Sequence, residues 1–358
     1  MPSVDYSVDW TAPMQQTFEF YIVDPGTWKD VKKLTMIESC TIDRDSESST
    51  LGSAMIDSGE LMGESYIRVY LITIQNGVTK KHPLATVLVQ TPSDNFDGKS
   101  KTYSMDAYTP LLELNEKYPD IGFFIPKGEN IMDKVYTHMK EQMRAPVITA
   151  SCSEILNDNF IVDPTDTWLT TLIDLAAGAE YKVALDELGQ VLLVPKQKTA
   201  ALQPVWTYTD DNSSILYPDV GKEQDLYGIP NVVRVVCSTN EGILISVAKN
   251  EDASSPTSIQ ARGREIEYRE TNPSIMGAIT QERLDEYAEQ LLKEKSSVEY
   301  TITYSHGYCP VNIGDCVRLN YKRAGINGVK ARVITQSIEC TPGCRVTETA
   351  VYTEKLWR

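Results

Sequence analysis

Four residues carry the types that could do chemistry together: His306, Cys309, Cys340 and Cys344. Cys340-Thr341-Pro342-Gly343-Cys344 reads as a tight turn that sets two thiols on facing strand ends. In the expected second barrel, His306 and Cys309 fall at that same end. One imidazole and three thiols are a ligand set that zinc or an iron–sulfur cluster accepts. The spacings are irregular and match no ligand signature. Free thiols are therefore expected, with no metal and no cofactor. A metal, or a disulfide among Cys309, Cys340 and Cys344, stays open as the weaker alternative.

Other stretches fall short of a site. Gly98-Lys99-Ser100 ends like a phosphate-binding loop, but Ser93 stands where the motif needs Gly. A strand also follows where the motif needs a helix. Asp43, Asp45 and Glu47 alternate as calcium ligands do, yet Ser48 takes the position that an EF-hand gives to Gly. A solvated acidic loop is expected there. His82, His138 and His306 form no zinc-protease pair, and no Gly-x-Ser-x-Gly elbow exists. No carboxylate is marked by an apolar surround as a raised-pKa acid. No catalytic residue is expected, although two carboxylates distant in sequence could still make a glycosidase.

The elements that must position these residues are mostly short strands. Gly63-Glu64 leads into Tyr66-Ile67-Arg68-Val69, Asn76-Gly77 turns the chain, and Leu84 to Thr91-Pro92 returns it. Gly314-Asp315-Cys316-Val317-Arg318-Leu319, Asn327-Gly328 and Ala331 to Thr341-Pro342 repeat the plan at a constant offset of 251 residues (314 − 63 and 327 − 76). Each Asn-Gly is expected to supply the positive φ angles of a primed hairpin turn. Each first strand carries an Arg expected to point outward between apolar residues. The match of start, turn and stop suggests an internal duplication. The alternative is two unrelated hairpins obeying the same turn chemistry.

Further strands are expected at Thr17–Val23, Leu34–Ile42, Leu51–Ile56, Thr102–Tyr108, Asn231–Val236, Ile243–Ala248, Ile259–Tyr268, Val298–Tyr304 and Cys344–Tyr352. Asn250 to Pro256 reads as a mobile surface loop. Ile131, Val135 and Met139 recur at helical spacing. A second helix, with Asp163 as its cap, presents Trp168, Leu169, Leu172, Ile173 and Ala176. Tyr181–Leu185 and Gln190–Pro195 form a hairpin over Asp186 to Gly189. Thr280 to Lys295 is the clearest helix, with Leu284, Ala288 and Leu292 on one face. The class is α+β, mainly β: two similar small antiparallel β-barrel domains with an α+β insert between them. The first barrel takes residues 1–118, the insert 119–200, a connecting segment 201–230, and the second barrel 231–358 with helix 280–295.

Composition narrows the function. A chain of 358 residues can hold two or three domains. A net charge of −16 argues against a surface that grips DNA or RNA. The start, Met1-Pro2-Ser3-Val4-Asp5-Tyr6, lacks the features of a secretory signal, and no apolar run approaches a membrane span. Seven cysteines, an odd count without a signal, argue against a disulfide framework. Cys40, Cys237 and Cys316 read as small buried hydrophobes.

The order of these elements resembles the tail-hub (baseplate hub) proteins of tailed bacteriophages and phage-derived contractile particles. The carrying stretches are Tyr103-Ser104-Met105-Asp106-Ala107-Tyr108-Thr109-Pro110-Leu111-Leu112, Leu188-Gly189-Gln190-Val191-Leu192-Leu193-Val194-Pro195, Asn231-Val232-Val233-Arg234-Val235, and the helix Arg283 to Leu292 leading into Gly314 to Leu319. The resemblance implies a homotrimer whose two barrels per chain make a ring of six at the distal end of the tail tube. Such a ring adapts the sixfold tube to a threefold spike or fibre. Its implied partners are the tail tube or distal tail protein, the central spike or fibre protein and the tape-measure protein. DNA would pass only in transit, and no stable membrane association is implied. The implied place is the virion tail tip, after assembly in the host cytoplasm. Because the last expected strand ends close to Trp357-Arg358, no appended peptidase, lysozyme-like or fibre domain is expected. A cell-wall-degrading tail enzyme and a non-viral β-rich binding module are the alternative readings.

Overall fold

Runs of β-branched and aromatic residues between Gly, Pro and Asp fold mainly as strands, because such side chains fit a pleated, half-buried surface. The computed structural model describes residues 8–354, except 97, 198, 213, 225, 240–241, 272–279 and 297. The readings made at Met1–Tyr6 and Trp357-Arg358 lie outside the described residues. In chain order the elements are β1 (Gln15–Val23), β2 (Asp30–Leu34), β3 (Ile37–Asp45), β4 (Gly52–Ser58), β5 (Tyr66–Gln75), β6 (Val78–Phe96), β7 (Lys101–Tyr108), α1 (Leu112–Asn115), β8 (Phe124–Ile125), α2 (Ile131–Gln142), β9 (Val147–Ile148), β10 (Phe160–Ile161), α3 (Trp168–Gly178), β11 (Tyr181–Leu185) and β12 (Val191–Pro195). There follow β13 (Trp206–Thr209), β14 (Leu216–Gln224), β15 (Val232–Thr239), β16 (Gly242–Lys249), α4 (Ile259–Arg262), β17 (Glu267–Glu270), α5 (Gln281–Lys295), β18 (Val298–Gly307), β19 (Cys316–Tyr321), β20 (Ile326–Glu339) and β21 (Arg345–Glu354). Among the described residues no helix is long and apolar enough to cross a membrane.

The class is α+β and mainly β, as the sequence pattern requires. The strands do not close into barrels, however. The largest sheet runs β14-β18-β21-β20-β3-β4-β7-β6-β5-β1-β2, with β19 branching from β20 and β13 beside β19. Its edge strand β2 is short and carries the exposed Lys32 and Lys33. Short length and lysines blunt an edge and end a sheet. One arrangement occurs twice in this order. In β4-β7-β6-β5 and again in β18-β21-β20-β19, a hairpin is flanked by the strand that follows it and then by a strand that precedes it.

The two hairpins differ in detail. Asn76 and Gly77 have φ of 52° and 79°, as a primed turn needs. The second hairpin turns earlier, through a 3-10 turn at Lys322–Ala324 closed by Gly325 at φ 73°. Asn327-Gly328 therefore lies inside β20, beside a register shift between Leu319 and Tyr321. A left-handed Gly directly after a helical turn is the stronger stop signal here. Arg318 is exposed as expected, but Arg68 is buried, at 4% exposure.

The chain divides into two compact units, 1–220 with 303–350 and 221–302 with 351–358. In the first, α2 and α3 pack on the sheet β11-β12-β9 around Met139, Leu169, Leu172 and Val191. Thr167, not Asp163, caps α3 by accepting from Thr170 N at 3.3 Å. Asp163 instead holds Thr165, accepting from its backbone N and its hydroxyl. The stretch expected as a connector contains β13, which runs parallel to β19. In the second unit Val233, Val235 and Ala248 pack on Leu284, Ala288 and Leu292 of α5. Ile259–Arg262 is a helical turn, not a strand, because Ser258 caps it by accepting from Ala261 N and Gly263 stops it. Asn250–Pro256, expected to be mobile, is held in place. The fully buried Asn250 donates to Ser255 Oγ at 2.9 Å and to Thr257 Oγ1 at 3.3 Å.

Candidate functional site

The four sequence candidates separate into two places. His306 on β18 and Cys309 just after it come together, with Sγ 3.9 Å from Nδ1. Cys340 lies elsewhere, at the end of β20 opposite Cys40 of β3, its backbone N donating to Cys40 O at 2.9 Å. Cys344, fully buried, follows in the turn with φ 38°. All seven cysteines are free thiols. Among the described residues no group of three or more His, Cys, Asp or Glu is set to hold a metal. The hydrogen bond to Cys40, then burial, pushes the Cys340 thiol well up. Burial pushes Cys344 up to about 12. Burial also raises Cys309, outweighing the charge of His306. Thiols held this way stay protonated in the metal-free protein and are poor nucleophiles. Protein purified without added metal is expected to carry no stoichiometric zinc or iron on elemental analysis. Stoichiometric metal that disappears in Cys344→Ser would overturn that expectation.

His306 and Cys309 belong to a buried polar network that sequence reasoning missed. His306 and Glu348 are fully buried, with Nε2 3.3 Å from Oε1. Glu348 accepts from Tyr304 Oη at 2.6 Å, Tyr208 Oη at 3.2 Å and Gln336 Nε2 at 2.6 Å. His306 Nδ1 donates to Gly307 O at 2.7 Å. Both ring nitrogens thus face acceptors, which fits an imidazolium. Burial alone would lower the His306 pKa, but the Glu348 charge outweighs it and raises the group to about 10. Burial opposes the Glu348 charge too, and the His306 charge overrides it, so that carboxyl sits below its ordinary value. Burial raises Tyr208 and Tyr304 well above the phenol range. With no exposure and every strong group paired, the network braces the sheet. It offers no approach to a substrate.

A second polar junction joins the insert to the large sheet within the first unit. The turn Asp186–Gly189 between β11 and β12 rests on β5 and β6. Trp28 Nε1 donates to Leu188 O at 2.8 Å and Arg68 Nη2 to the same oxygen at 3.1 Å. Asn312 Nδ2 donates to Glu187 Oε1 at 2.6 Å, and Arg44 donates to Asn312 and to Gln336. Gly189 has φ 73°, and a Cβ there would stand 2.7 Å from Thr86 Cβ. Between these groups lies a cavity of about 50 Å³ lined by Arg44, Leu84, Thr86, Asp186 and Asn312. That holds a water or two, far below a ligand pocket of roughly 300 Å³ or more. Burial raises the pKa of both Asp186 and Asp315, two carboxylates that no apolar run had marked. Each accepts from a backbone N of its own turn, Asp186 from Gln190 and Asp315 from Asn312.

Exposed apolar surface gathers in two further places. On β16, Ile243, Ile245 and Val247 alternate outward at 67%, 50% and 40% exposure. On the ribbon β8–β10, Phe124 and Ile161 are direct cross-strand partners, with Ile161 at 79% exposure.

The fold is similar to those of solved tail proteins. The chain is similar to the crystal structure of the tail protein from Neisseria meningitidis MC58, at 13% identity and a TM-score of 0.63, over 94% of this chain and 96% of that one. It is also similar to the prophage MuSo2 43 kDa tail protein from Shewanella oneidensis, at 11% identity and a TM-score of 0.60, over 94% and 98%. In the Francisella PdpA-VgrG complex the likeness covers 94% of this chain and 53% of the other, at 7% identity and a TM-score of 0.56. No protein-family model matches the chain, and no curated protein matches its sequence. At these identities the likeness establishes the fold.

Proposed function

We propose that the chain is a structural hub subunit of a phage-type tail. Three copies close into a ring at the distal end of the tail tube, in the virion tail tip, after assembly in the host cytoplasm. One side of the ring meets the tube or a distal tail protein, and the other meets the central spike or fibre. The tape-measure protein ends against it, and DNA passes through its channel. The observation that carries this reading is the extent of the likeness. It spans 94% of this chain and nearly all of two tail proteins, so it is not the likeness of one shared module.

The repeated four-strand order supports a symmetry-adapting role. A chain in which one four-strand order occurs twice within its large sheet can present a similar surface twice, so that three copies offer six similar sites to a sixfold tube. A closed ring requires head-to-tail contacts, in which one surface meets a different surface of the next copy. The net charge of −16 favours passage of DNA over adhesion. The role is architectural and needs no catalysis. The test is a reconstruction of the assembled tail end, in which three copies around the axis are expected. Six copies in a ring, or a single copy off the axis, would overturn the reading.

A further inference from the structure

Two cysteines face each other across the seam of the large sheet. In the order β18-β21-β20-β3-β4-β7, the two like four-strand arrangements meet through the pairing of β20 with β3. That ladder runs from Thr335 beside Asp45 to Glu339 beside Thr41. The next position sets Cys340 beside Cys40, and Cys340 N donates to Cys40 O at 2.9 Å. Direct cross-strand partners project to the same face. Cys40 is 2% exposed and Cys340 8%, and their thiols hydrogen-bond to each other. A hydrogen-bonded pair in an antiparallel ladder sets its Cα atoms about 5.5 Å apart, inside the roughly 4.4–6.8 Å that a disulfide spans. Its Cβ atoms, at about 4.5–5.5 Å, stand slightly wider than the roughly 3.5–4.5 Å of a relaxed bridge. Closure needs a small shift, and Cys340 can supply it as the first residue past the end of β20.

Cys344 is the rival partner. It lies past Pro342 and Gly343, fully buried, with φ 38°. The Cys340 thiol, however, takes Cys40 as its hydrogen-bond partner. A bridge from Cys40 to Cys340 would also close a loop of 300 residues (340 − 40), against 4 for Cys340 to Cys344 (344 − 340). In the chain-entropy account the longer loop gives the larger stabilisation. The first bridge would hold the seam, and the second would only stiffen a turn.

We propose that Cys40 and Cys340 form a reversible redox staple, open as two thiols when the chain is made and closed to a disulfide by a small peroxide. One thiol sulfur attacks the O–O bond of the peroxide, which leaves a sulfenic acid and one water. The other thiol displaces the sulfenic hydroxyl as a second water, and the S–S bond forms. Two thiols are thereby oxidised and one hydrogen peroxide is reduced to two waters. Both groups are buried and protonated, so closure takes hours rather than seconds. The bond would form in any assembly. For a tail subunit, passage from a reducing cytoplasm to the outside supplies the change of surroundings.

The test treats the native full chain with hydrogen peroxide, blocks remaining thiols with N-ethylmaleimide and maps disulfide-linked peptides by mass spectrometry. The Cys40–Cys340 pair is expected at least about tenfold above any other, as fits groups already in contact. It should disappear on reduction with dithiothreitol and in Cys40→Ser, and persist in Cys344→Ser. Oxidation should also raise the urea midpoint by roughly 0.5–1 M relative to Cys40→Ser treated in the same way, whose methionines meet the same peroxide. A dominant Cys340–Cys344 pair overturns the proposal. So does Cys340 of the wild type driven straight to sulfinic acid, a full set of seven alkylated thiols after prolonged treatment, or an unmoved midpoint.

Discussion

Replacing Glu348 with Gln should destabilise the protein by about 3–5 kcal/mol, the usual cost of breaking a buried ion pair from one side. The variant keeps the shape of the side chain but removes the charge that holds His306 protonated. It also turns a donor toward the hydroxyls of Tyr208 and Tyr304, which now donate to a carboxylate. The sign of the pH dependence follows from both partners. The folded pKa of His306 is raised to about 10 from 6.5, so its contribution is full below 6.5 and is lost as pH rises toward 10. The folded pKa of Glu348 is lowered from 4.5, so its contribution is full above 4.5 and is lost as pH falls through the folded value. The stability difference between wild type and Glu348→Gln should therefore peak between pH 4.5 and 6.5 and shrink across pH 6.5 to 10. Urea unfolding at a series of pH values measures it. A difference that stays constant between pH 6.5 and 10 would mean that His306 is neutral in the folded protein.

The pair was readable in principle, because strand parity announces it. Ile302, Tyr304 and His306 share the inward parity of β18, and Val346, Glu348 and Ala350 share that of β21. A His and a Glu on inward positions demand partners. Sequence reasoning instead grouped His306 with cysteines at the same expected barrel end, because it could not tell which strands lie side by side. The helices α2, α3 and α5 were legible, since their apolar residues recur at helical spacing over three turns or more. Cys40 beside Cys340 was not, because nothing local links a residue of β3 to one at the end of β20. The second hairpin misled for a local reason. Asn327-Gly328 is a good turn signal, but the chain had already turned at Gly325.

Arg68→Met should loosen the insert by about 2–4 kcal/mol while leaving the strand order intact, since bonds made by a buried charged donor are each worth about 1.5–3 kcal/mol. Arg68 reads in sequence as a surface residue of a hairpin strand, yet its guanidinium is the fork on which the insert's turn rests. Nε donates to Thr86 Oγ1 at 2.8 Å, Nη1 to Asp30 Oδ1 at 2.9 Å and Nη2 to Leu188 O at 3.1 Å. Methionine fills much of the same volume without donating. Thr86 and Asp30 would then lose a donor, while Leu188 O keeps Trp28 Nε1. Tyr70 Oη still donates to Asp30, which limits the loss on that side. Gly189→Val should act at the same junction by a different route. Its φ of 73° disfavours any side chain, and the new Cβ would press on Thr86 at 2.7 Å, so the turn must lift from the sheet. Hydrogen exchange separates these outcomes from general unfolding. In both variants the amides of α2, α3 and the β11–β12 hairpin should exchange at least about tenfold faster, with those of β5 and β6 away from the junction changing less. Equal acceleration across the insert and the large sheet would show that the two unfold as one body and that the junction is not a separable hinge. An unchanged insert in Arg68→Met would mean that Trp28 and Asn312 suffice to dock it.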